Sequence, residues 1–347
     1  MDPYLQLSNL QKAIRRNCPE LAVNSASLLY EKNLSLLLYR LSIICLEDIG
    51  LANLDLVHQF FSTKIKKANI EGGAGPAAGR QYLFSLIEQL CASPKDRTSC
   101  DLFYFANNKT EITSLSHAQQ ILDEDNHHDL NKIFNQLSAI FYLLSPKAIK
   151  YLENQAKLPP EKVREILSNY HLPEKMIDII LFASTFHREG MFLSLPLCYQ
   201  YFQLEKNHQF NSKIKTGDII ENKKIENPVY NHLLLSAIDG HTRPGLRAIY
   251  QFLNQNKELK SYQNQHDLSS EEMTKLVKTS LFLLEGSIVS SRLYYPLAHQ
   301  VYNYPFNLPH LKSINKILST NLLVLNNLKI SALNYYQEQN SLTNKAI

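Results

Sequence analysis

The sequence predicts an all-α protein, and three observations lead to this class. Apolar residues recur at three- and four-residue spacing along much of the chain, a pattern typical of amphipathic helices. Proline often stands where a predicted helix begins, a position at which its missing N–H costs nothing. No segment keeps the alternation of apolar and polar residues that marks a half-buried strand. With 44% hydrophobic residues in 347, the chain can bury a sizeable core.

The first third of the chain gives the clearest helical pattern. Leu10 and Ile14 indicate one helix, and residues 21–30 indicate a second. A longer stripe then follows between Asn33, a predicted N-cap, and Gly50, a predicted stop. Its members lie at the spacing of one helix face: Leu34, Leu37, Leu38, Leu41, Ile44 and Cys45.

The next segments continue this pattern around a glycine-rich loop. Residues 55–67 predict a helix whose end carries lysines, where cations suit the helix dipole. The stretch EGGAGPAAGR at 71–80 predicts a flexible loop, in which Pro76 is a suitable first residue for a helix that continues over 81–91. Residues 106–130 are polar and make the best domain boundary.

Helices are also predicted in the second part of the chain. Ser269 and Glu272 form a capping box that opens one of them, which runs to about Val289. The others are predicted at 130–144, 160–170, 173–188, 228–239, 244–254 and 321–337, with an exposed loop at 203–227. We therefore predict a helical domain over 1–105, a polar linker over 106–130 and a second helical domain over 131–347.

Composition limits the compartment and the class of partner. The five cysteines are widely spaced without a CxxC pair, which favours free thiols in a reducing cytosol. The N-terminus lacks the pattern of a secretory signal, and no apolar run reaches the length of a membrane span. We therefore expect a cytoplasmic protein with no membrane partner. The net charge of +4 permits a nucleic-acid partner without arguing for one.

Two segments carry a resemblance to a known family. The sequence LQKAIRR at 10–16, followed by YRLSIICLEDIGLAN at 39–53, resembles the C-terminal helical region of the RarA/MgsA family of AAA+ ATPases. The chain keeps the family's Arg40, Glu47, Asp48 and Gly50, which we take as a structural motif. CASPKDRTSCD at 91–101 is similar to a further family segment, and SAIDGHTRPGLRAI at 236–249 is similar to phage-encoded stand-alone relatives.

The resemblance implies a function in DNA metabolism. The family is related to clamp loaders and acts at stalled replication forks, and this region of it mediates oligomerisation. It implies a clamp-loader-collar-like N-terminal part and a homo-oligomer. The phosphate-binding pattern GxxxxGK[ST], whose backbone amides and lysine hold nucleotide phosphates, is missing from the chain. We therefore expect no enzyme activity and no cofactor.

Three groups of basic residues are candidates for binding DNA phosphates or another anion. The first, on one helix face, is Lys12, Arg15 and Arg16; the second, around the glycine loop, is Lys64, Lys66, Lys67 and Arg80; the third is His241, Arg243 and Arg247. In the third group Thr242 is a predicted N-cap, and a helix N-terminus with basic neighbours suits an anion.

Each group also has a structural interpretation. The arginines of the first group, with Arg40, would pair with the acidic residues of the family motif and pin one helix against another. The second would be a solvated loop whose lysines match the helix dipole. The third would be a corner between helices in which Asp239, His241 and Arg243 hydrogen-bond each other.

We predict a non-catalytic, oligomeric accessory protein of DNA replication, recombination or repair, which binds DNA or a replication partner. Two alternatives stay open. One is an all-α metal-dependent phosphohydrolase of the HD type, which would use His128 and Asp129 with His58 or His117 and Asp178. Because the doublet stands in a polar stretch typical of a solvated loop, we predict no metal site. The other alternative is a scaffold that binds only proteins.

Overall fold

The computed structural model describes residues 2–65, 76–96, 99, 120, 160–168, 172–186, 194, 197, 228–287 and 308–345, and these are mainly helical. The prediction of an all-α fold is confirmed. The α-helices are α1 (Pro3–Arg15), α2 (Pro19–Ile44), α3 (Leu54–Ile65), α4 (Pro76–Ala92), α5 (Pro160–Ser168), α6 (Glu174–Phe186), α7 (Arg243–Gln255), α8 (Lys257–Gln265), α9 (Ser270–Ser287), α10 (Leu308–Thr320) and α11 (Leu322–Lys345). A two-stranded sheet joins β1 (Val229–Tyr230) to β2 (Leu233–Leu234).

The described residues divide into two compact units. Unit 1 takes those within Met1–Lys32, Ile220–Val289 and Asn303–Ile347, and unit 2 takes those within Asn33–Ile219 and Ser290–Tyr302. The described part of the predicted first domain, 1–105, is therefore shared between the two units. Of the predicted linker, 106–130, only residue 120 is described.

Unit 1 joins three distant parts of the chain. Helix α7 packs against α11, α9 packs against α10, and α1 packs against β2 and the short 3-10 turn Leu235–Ala237. One buried cluster contains Leu5 of α1, Leu235 of the turn and Leu333 of α11. Apolar burial therefore holds the first helix to segments more than 200 positions away in sequence.

The β-hairpin corrects the prediction of a helix over 228–239. Val229 pairs with Leu234 in an antiparallel register. The two turn residues Asn231 and His232 have positive φ values of 49° and 61°, as a tight type I′ hairpin turn requires. The buried side chain of Asn9 accepts a hydrogen bond from the Leu234 N–H at 2.9 Å and donates one to the His232 carbonyl at 3.3 Å. The Asn9 side chain from α1 therefore stabilises the hairpin, although the sequence of 228–239 on its own predicts a helix.

Several predicted helix ends in unit 1 are confirmed. The Ser269 N–H and hydroxyl both donate to the Glu272 carboxylate, at 2.8 and 2.7 Å, and the Glu272 N–H donates back to the Ser269 hydroxyl at 3.2 Å. This is the predicted capping box, and α9 follows it. Asn17, with φ at 52°, separates α1 from α2. Two helices, α8 and α10, were not predicted from the sequence.

Unit 2 begins at a kink inside α2. Asn33 leaves the helical backbone region (φ −162°, ψ 85°), and its side chain accepts a hydrogen bond from the Leu36 N–H at 2.9 Å, which confirms the predicted N-cap. The apolar stripe that follows is buried from Leu37 to Cys45. A π-helical turn, Cys45–Ile49, leads to Gly50, whose φ of 51° and ψ of −132° end the helix.

The rest of unit 2 packs around α3. Helix α6 packs against α3 and α5, and α4 also contacts α3. Pro76 begins α4, as predicted, so residues 76–80 of the predicted loop are helical. The predicted helices at 160–170 and 173–188 correspond to α5 and α6. The predicted helix at 130–144 and the loop at 203–227 lie outside the described residues.

Candidate functional site

The turn before α7 is a tightly built corner in unit 1. The Thr242 side chain accepts a hydrogen bond from the Gly245 N–H at 3.2 Å, which makes it the N-cap, as predicted. Its hydroxyl and N–H both donate to the Asp239 carbonyl, at 2.9 and 3.0 Å. Gly245 allows this close approach, because a Cβ there would lie only 1.8 Å from the Asp239 carbonyl oxygen.

Asp239 is the electrostatic centre of this corner. Its Oδ2 lies 3.4 Å from Nζ of the buried Lys12 and accepts a hydrogen bond from the Ser8 hydroxyl at 3.5 Å. Its Oδ1 accepts a hydrogen bond from the His241 N–H at 2.9 Å. Burial acts to raise the pKa of Asp239, but the interactions with His241 and the charge of Lys12 prevail and hold that pKa well below its ordinary value.

His241 is the exposed member of the corner. Its side chain is 84% exposed, and its Nδ1 lies 3.7 Å from Oδ1 of Asp239. The side-chain interaction with Asp239 raises the pKa of His241, although partial burial and the positive charges of Lys12 and Lys278 oppose this. The imidazole therefore holds a proton at a higher pH than a free histidine does.

Arg243 and Arg247 differ in their surroundings although both lie on α7. Arg243 is the first residue of the helix and is exposed to solvent. The Arg247 guanidinium lies 3.8 Å from the ring centroid of Tyr335 on α11, which is a cation–π contact. Arg247 thus helps to hold α7 against α11, while Arg243 is open to a ligand.

Lys278 adds a positive charge that the sequence analysis missed. It lies on α9 and is half-buried, and its aliphatic stem passes so close to Gly240 that a Cβ there would lie 3.1 Å from its Cγ. We call His241, Arg243 and Lys278 the basic corner. No local pattern links Lys278 to the other two, because it follows Arg243 by 35 positions and comes near the turn through the packing of α9.

The first predicted basic group lies mostly in the interior. Lys12 and Arg15 are buried, with exposed fractions of 6% and 3%, and Arg16 is half-buried. Lys12 pairs with Asp239. Buried side chains are not open to a DNA backbone, so Lys12 and Arg15 are not part of the basic corner. The pairing of the buried Lys12 with Asp239 agrees with a structural role for this lysine, whereas the predicted pairing of Arg15, Arg16 and Arg40 with Glu47 and Asp48 stays a prediction.

Only part of the second basic group is described. Arg80 lies on α4, with its guanidinium 5.3 Å from the ring centroid of Phe84. Lys64 lies in the last turn of α3, while Lys66 and Lys67 lie outside the described residues. The proposed contact of this group with DNA stays a prediction.

Two of the family-like segments, those at 39–53 and 91–101, meet in unit 2. Asp48 and Gly50 are buried, whereas Arg40 and Glu47 are half-buried. The Asp48 carbonyl accepts a hydrogen bond from the Asp96 N–H at 2.9 Å, so the segments at 39–53 and 91–101 are in contact. This arrangement supports a structural role for the motif.

Lys95 in the second of these segments points inward. Its Nζ donates to the carbonyls of Cys91, at 2.8 Å, and Ser93, near the end of α4. Burial lowers the pKa of Lys95 to about 8, a shift that Cys91 and Asp48 partly offset. A lysine held in this way serves the end of the helix rather than a DNA surface.

Two residues nominated for the metal site also come together in unit 2. Nε2 of His58 lies 3.2 Å from Oδ2 of Asp178, and Asp178 also accepts a hydrogen bond from Arg164 at 2.6 Å. His117, His128 and Asp129 lie outside the described residues. In the part of the chain that the structure describes, no three His, Cys, Asp or Glu side chains group in a way that could hold a metal ion.

Comparisons with family models, with curated proteins and with solved structures find no match to this chain. None of the helices within the described ranges combines the length and apolar character that crossing a bilayer requires.

Proposed function

We propose that this protein is a non-catalytic accessory factor of DNA replication, recombination or repair in the cytoplasm, which binds DNA or a replication partner. The observation that carries the proposal is the basic corner. His241 and Arg243 are exposed at the start of α7, Lys278 stands beside them, and the nearest carboxylate, Asp239, is already paired with the buried Lys12. The corner is therefore positive at the surface and suits phosphate groups.

The arrangement of charges explains why an anion is favoured here. Asp239 would repel a phosphate if its charge were unbalanced, but Lys12 lies 3.4 Å away on the interior side. The side chains on the exterior side are then His241, Arg243 and Lys278. The Asp239 carboxylate raises the pKa of the His241 imidazole. A lysine or arginine contact to phosphate contributes affinity that falls as salt rises, because bound counterions are released.

Fluorescence anisotropy with a labelled single strand and a labelled duplex tests this proposal. The wild-type protein is titrated at several salt concentrations, beside the double variant Arg243→Gln/Lys278→Gln and the control Lys316→Gln, which removes an exposed lysine from α10. We expect the double variant to bind more weakly and to lower the slope of log K against log salt by about 1 to 2. Equal slopes in all three proteins would refute the corner as a DNA contact.

The same titration separates DNA binding from a protein-only scaffold. A scaffold would show no binding to either nucleic acid even at low salt. Binding that weakens steeply with salt supports the nucleic-acid function.

The resemblance also implies self-association, which we include in the proposal. Among the described residues of the first third, most apolar side chains are buried, and the large ones that stay exposed, Tyr4, Leu28 and Tyr82, are scattered. A contiguous exposed group lies instead at the start of α11, at Leu322, Leu323 and Val324. Light scattering on the wild type and on Leu323→Glu measures the mass of each protein in solution. A wild-type oligomer that dissociates in the variant supports assembly through this group. A wild-type monomer refutes self-association.

A metal-dependent phosphohydrolase is the second candidate, favoured by the contact between His58 and Asp178. It ranks second because the Arg164 guanidinium already balances the Asp178 carboxylate, which weakens its attraction for a cation. Metal analysis of the purified protein and an assay with a phosphodiester in Mn²⁺ test it. Bound metal together with activity that His128→Ala and Asp178→Asn abolish would favour this candidate; a metal-free, inactive protein would remove it.

A further inference from the structure

A cavity of about 490 Å³ lies among α7, α8 and α9 in unit 1. Its volume is within the range of small-molecule sites in proteins. The residues that matter for its chemistry are Tyr250 and Leu253 from α7, Lys260 from α8, and Met273, Lys275 and Lys278 from α9. Three helices thus contribute cations and apolar surface to one concave site.

The charge of the cavity is positive. Lys275 forms an ion pair at 2.9 Å with Glu271, the acidic residue of the lining, so their charges balance. Lys260 and Lys278 remain, and neither forms an ion pair with any residue that the structure describes. Two uncompensated ammonium groups around one cavity favour an anion, and lysine is a common phosphate ligand.

The site is built before a ligand arrives. The stem of Lys278 is packed against Gly240, which limits its conformations. At the N-terminus of α9, the Ser269 N–H donates to the Glu272 carboxylate and the Glu272 N–H donates to the Ser269 hydroxyl. A phosphate would therefore be held by Lys260 and Lys278. Lys278 would lose little conformational freedom on binding, because its stem is already packed. The Glu272 carboxylate would repel the phosphate from the end of the helix.

The wall of the cavity provides a second type of contact. Tyr250 is 51% exposed, although it is aromatic, and Leu253 and Met273 add apolar surface beside it. A base can stack on an exposed tyrosine ring, an interaction that every base tolerates because each has a π-face. A planar aromatic group and a phosphate occur together in a nucleotide.

We propose that this cavity binds a nucleoside phosphate, with the base against Tyr250 and the phosphate near Lys260 and Lys278. Lys278 also belongs to the basic corner, so the cavity and the corner share this lysine. The nucleoside phosphate can be one unit of a single DNA strand, and in that case the inference rests on the proposed function. The other source of the ligand is a free nucleotide, which has the same chemistry.

The test measures binding of adenosine 5′-monophosphate by calorimetry and of a labelled oligothymidylate single strand by anisotropy. The variants are Tyr250→Leu and Lys260→Gln, with Tyr250→Phe and Lys316→Gln as matched controls. We expect Tyr250→Leu to weaken binding about five-fold or more and Tyr250→Phe to bind like wild type, because only the ring is needed. Lys260→Gln lowers the salt slope on the strand by about 0.7, whereas Tyr250→Leu leaves it unchanged. Thermal unfolding shows that each variant is folded.

The outcomes separate the two proposals. Loss of strand binding only in Arg243→Gln/Lys278→Gln, with Tyr250→Leu and Lys260→Gln like wild type, overturns the cavity site and leaves the proposed function standing. Binding of the mononucleotide alone, lost in Tyr250→Leu, supports the cavity and overturns the DNA function. Strand binding lost in Tyr250→Leu and Lys260→Gln supports both, and binding of neither ligand by wild type overturns both.

Discussion

Replacing Gly245 by alanine tests the geometry of the turn before α7. A Cβ at this position would lie 1.8 Å from the Asp239 carbonyl oxygen and 2.5 Å from its carbon. Both are backbone atoms, so the turn itself must move to relieve the overlap. The movement would strain the two hydrogen bonds from Thr242 to that carbonyl, at 2.9 and 3.0 Å.

The expected loss of stability follows from opposing contributions. Overpacking against backbone costs about 1–3 kcal/mol. Weakening of the Thr242 cap adds about 1 kcal/mol. The better helix propensity of alanine returns at most about 1 kcal/mol. We therefore expect Gly245→Ala to lower the free energy of unfolding by about 1–3 kcal/mol, although glycine-to-alanine changes inside helices usually stabilise.

Urea unfolding followed by far-UV circular dichroism measures the effect, with Gly240→Ala as the matched control. The atoms nearest to a Cβ at Gly240 would be side-chain atoms of Lys278, from 3.1 Å, rather than backbone atoms, and Gly240 has no positive φ. The control should change the free energy of unfolding by less than about 0.5 kcal/mol. A Gly245→Ala protein as stable as wild type, or more stable, would refute the reasoning.

Substitutions at four other positions have expected outcomes. Thr242→Ala should destabilise the protein by about 1 kcal/mol in urea unfolding, and Thr242→Ser should recover most of that loss. Asp239→Asn removes the carboxylate that pairs with the buried Lys12 and should cost about 3 kcal/mol at pH 7; because the folded pKa of Asp239 is depressed, the difference from wild type shrinks as pH falls below about 4. His241 has a raised pKa, so the stability difference between wild type and His241→Gln should be larger at pH 6 than at pH 8.5. Gly50→Ala should lower the melting temperature through backbone strain of about 1–3 kcal/mol, since φ is 51° while the nearest contact of a Cβ is an ordinary 3.5 Å.

Local chemistry explains which parts of the fold can be predicted from sequence. The Asn33 and Thr242 caps and the Ser269–Glu272 capping box satisfy N–H groups within three residues, so the pattern alone identifies them. The buried stripe after Asn33 has a period that a helix imposes wherever it packs.

Distant contacts explain what could not be predicted. The hairpin at 229–234 depends on the Asn9 side chain, and the Leu235 carbonyl just beyond it accepts a hydrogen bond at 3.0 Å from the buried Lys329. Both partners lie more than 90 positions away, and a local reading of 228–239 favours a helix. Lys12 and Lys278 illustrate the same limit for the candidate site. Lys12 is buried beside Asp239, and Lys278 of α9 lies against Gly240. The pattern of charges along the sequence predicts neither position.

The hydrophobic cluster that joins Leu5, Leu235 and Leu333 has a consequence for synthesis on the ribosome. Helix α1 is translated before its partners in this cluster, which follow Leu5 by more than 200 codons. Until then that face lacks these partners, and the closure of unit 1 brings together segments at high contact order, which slows folding. Truncated chains that end before β1 should therefore leave α1 accessible to protease.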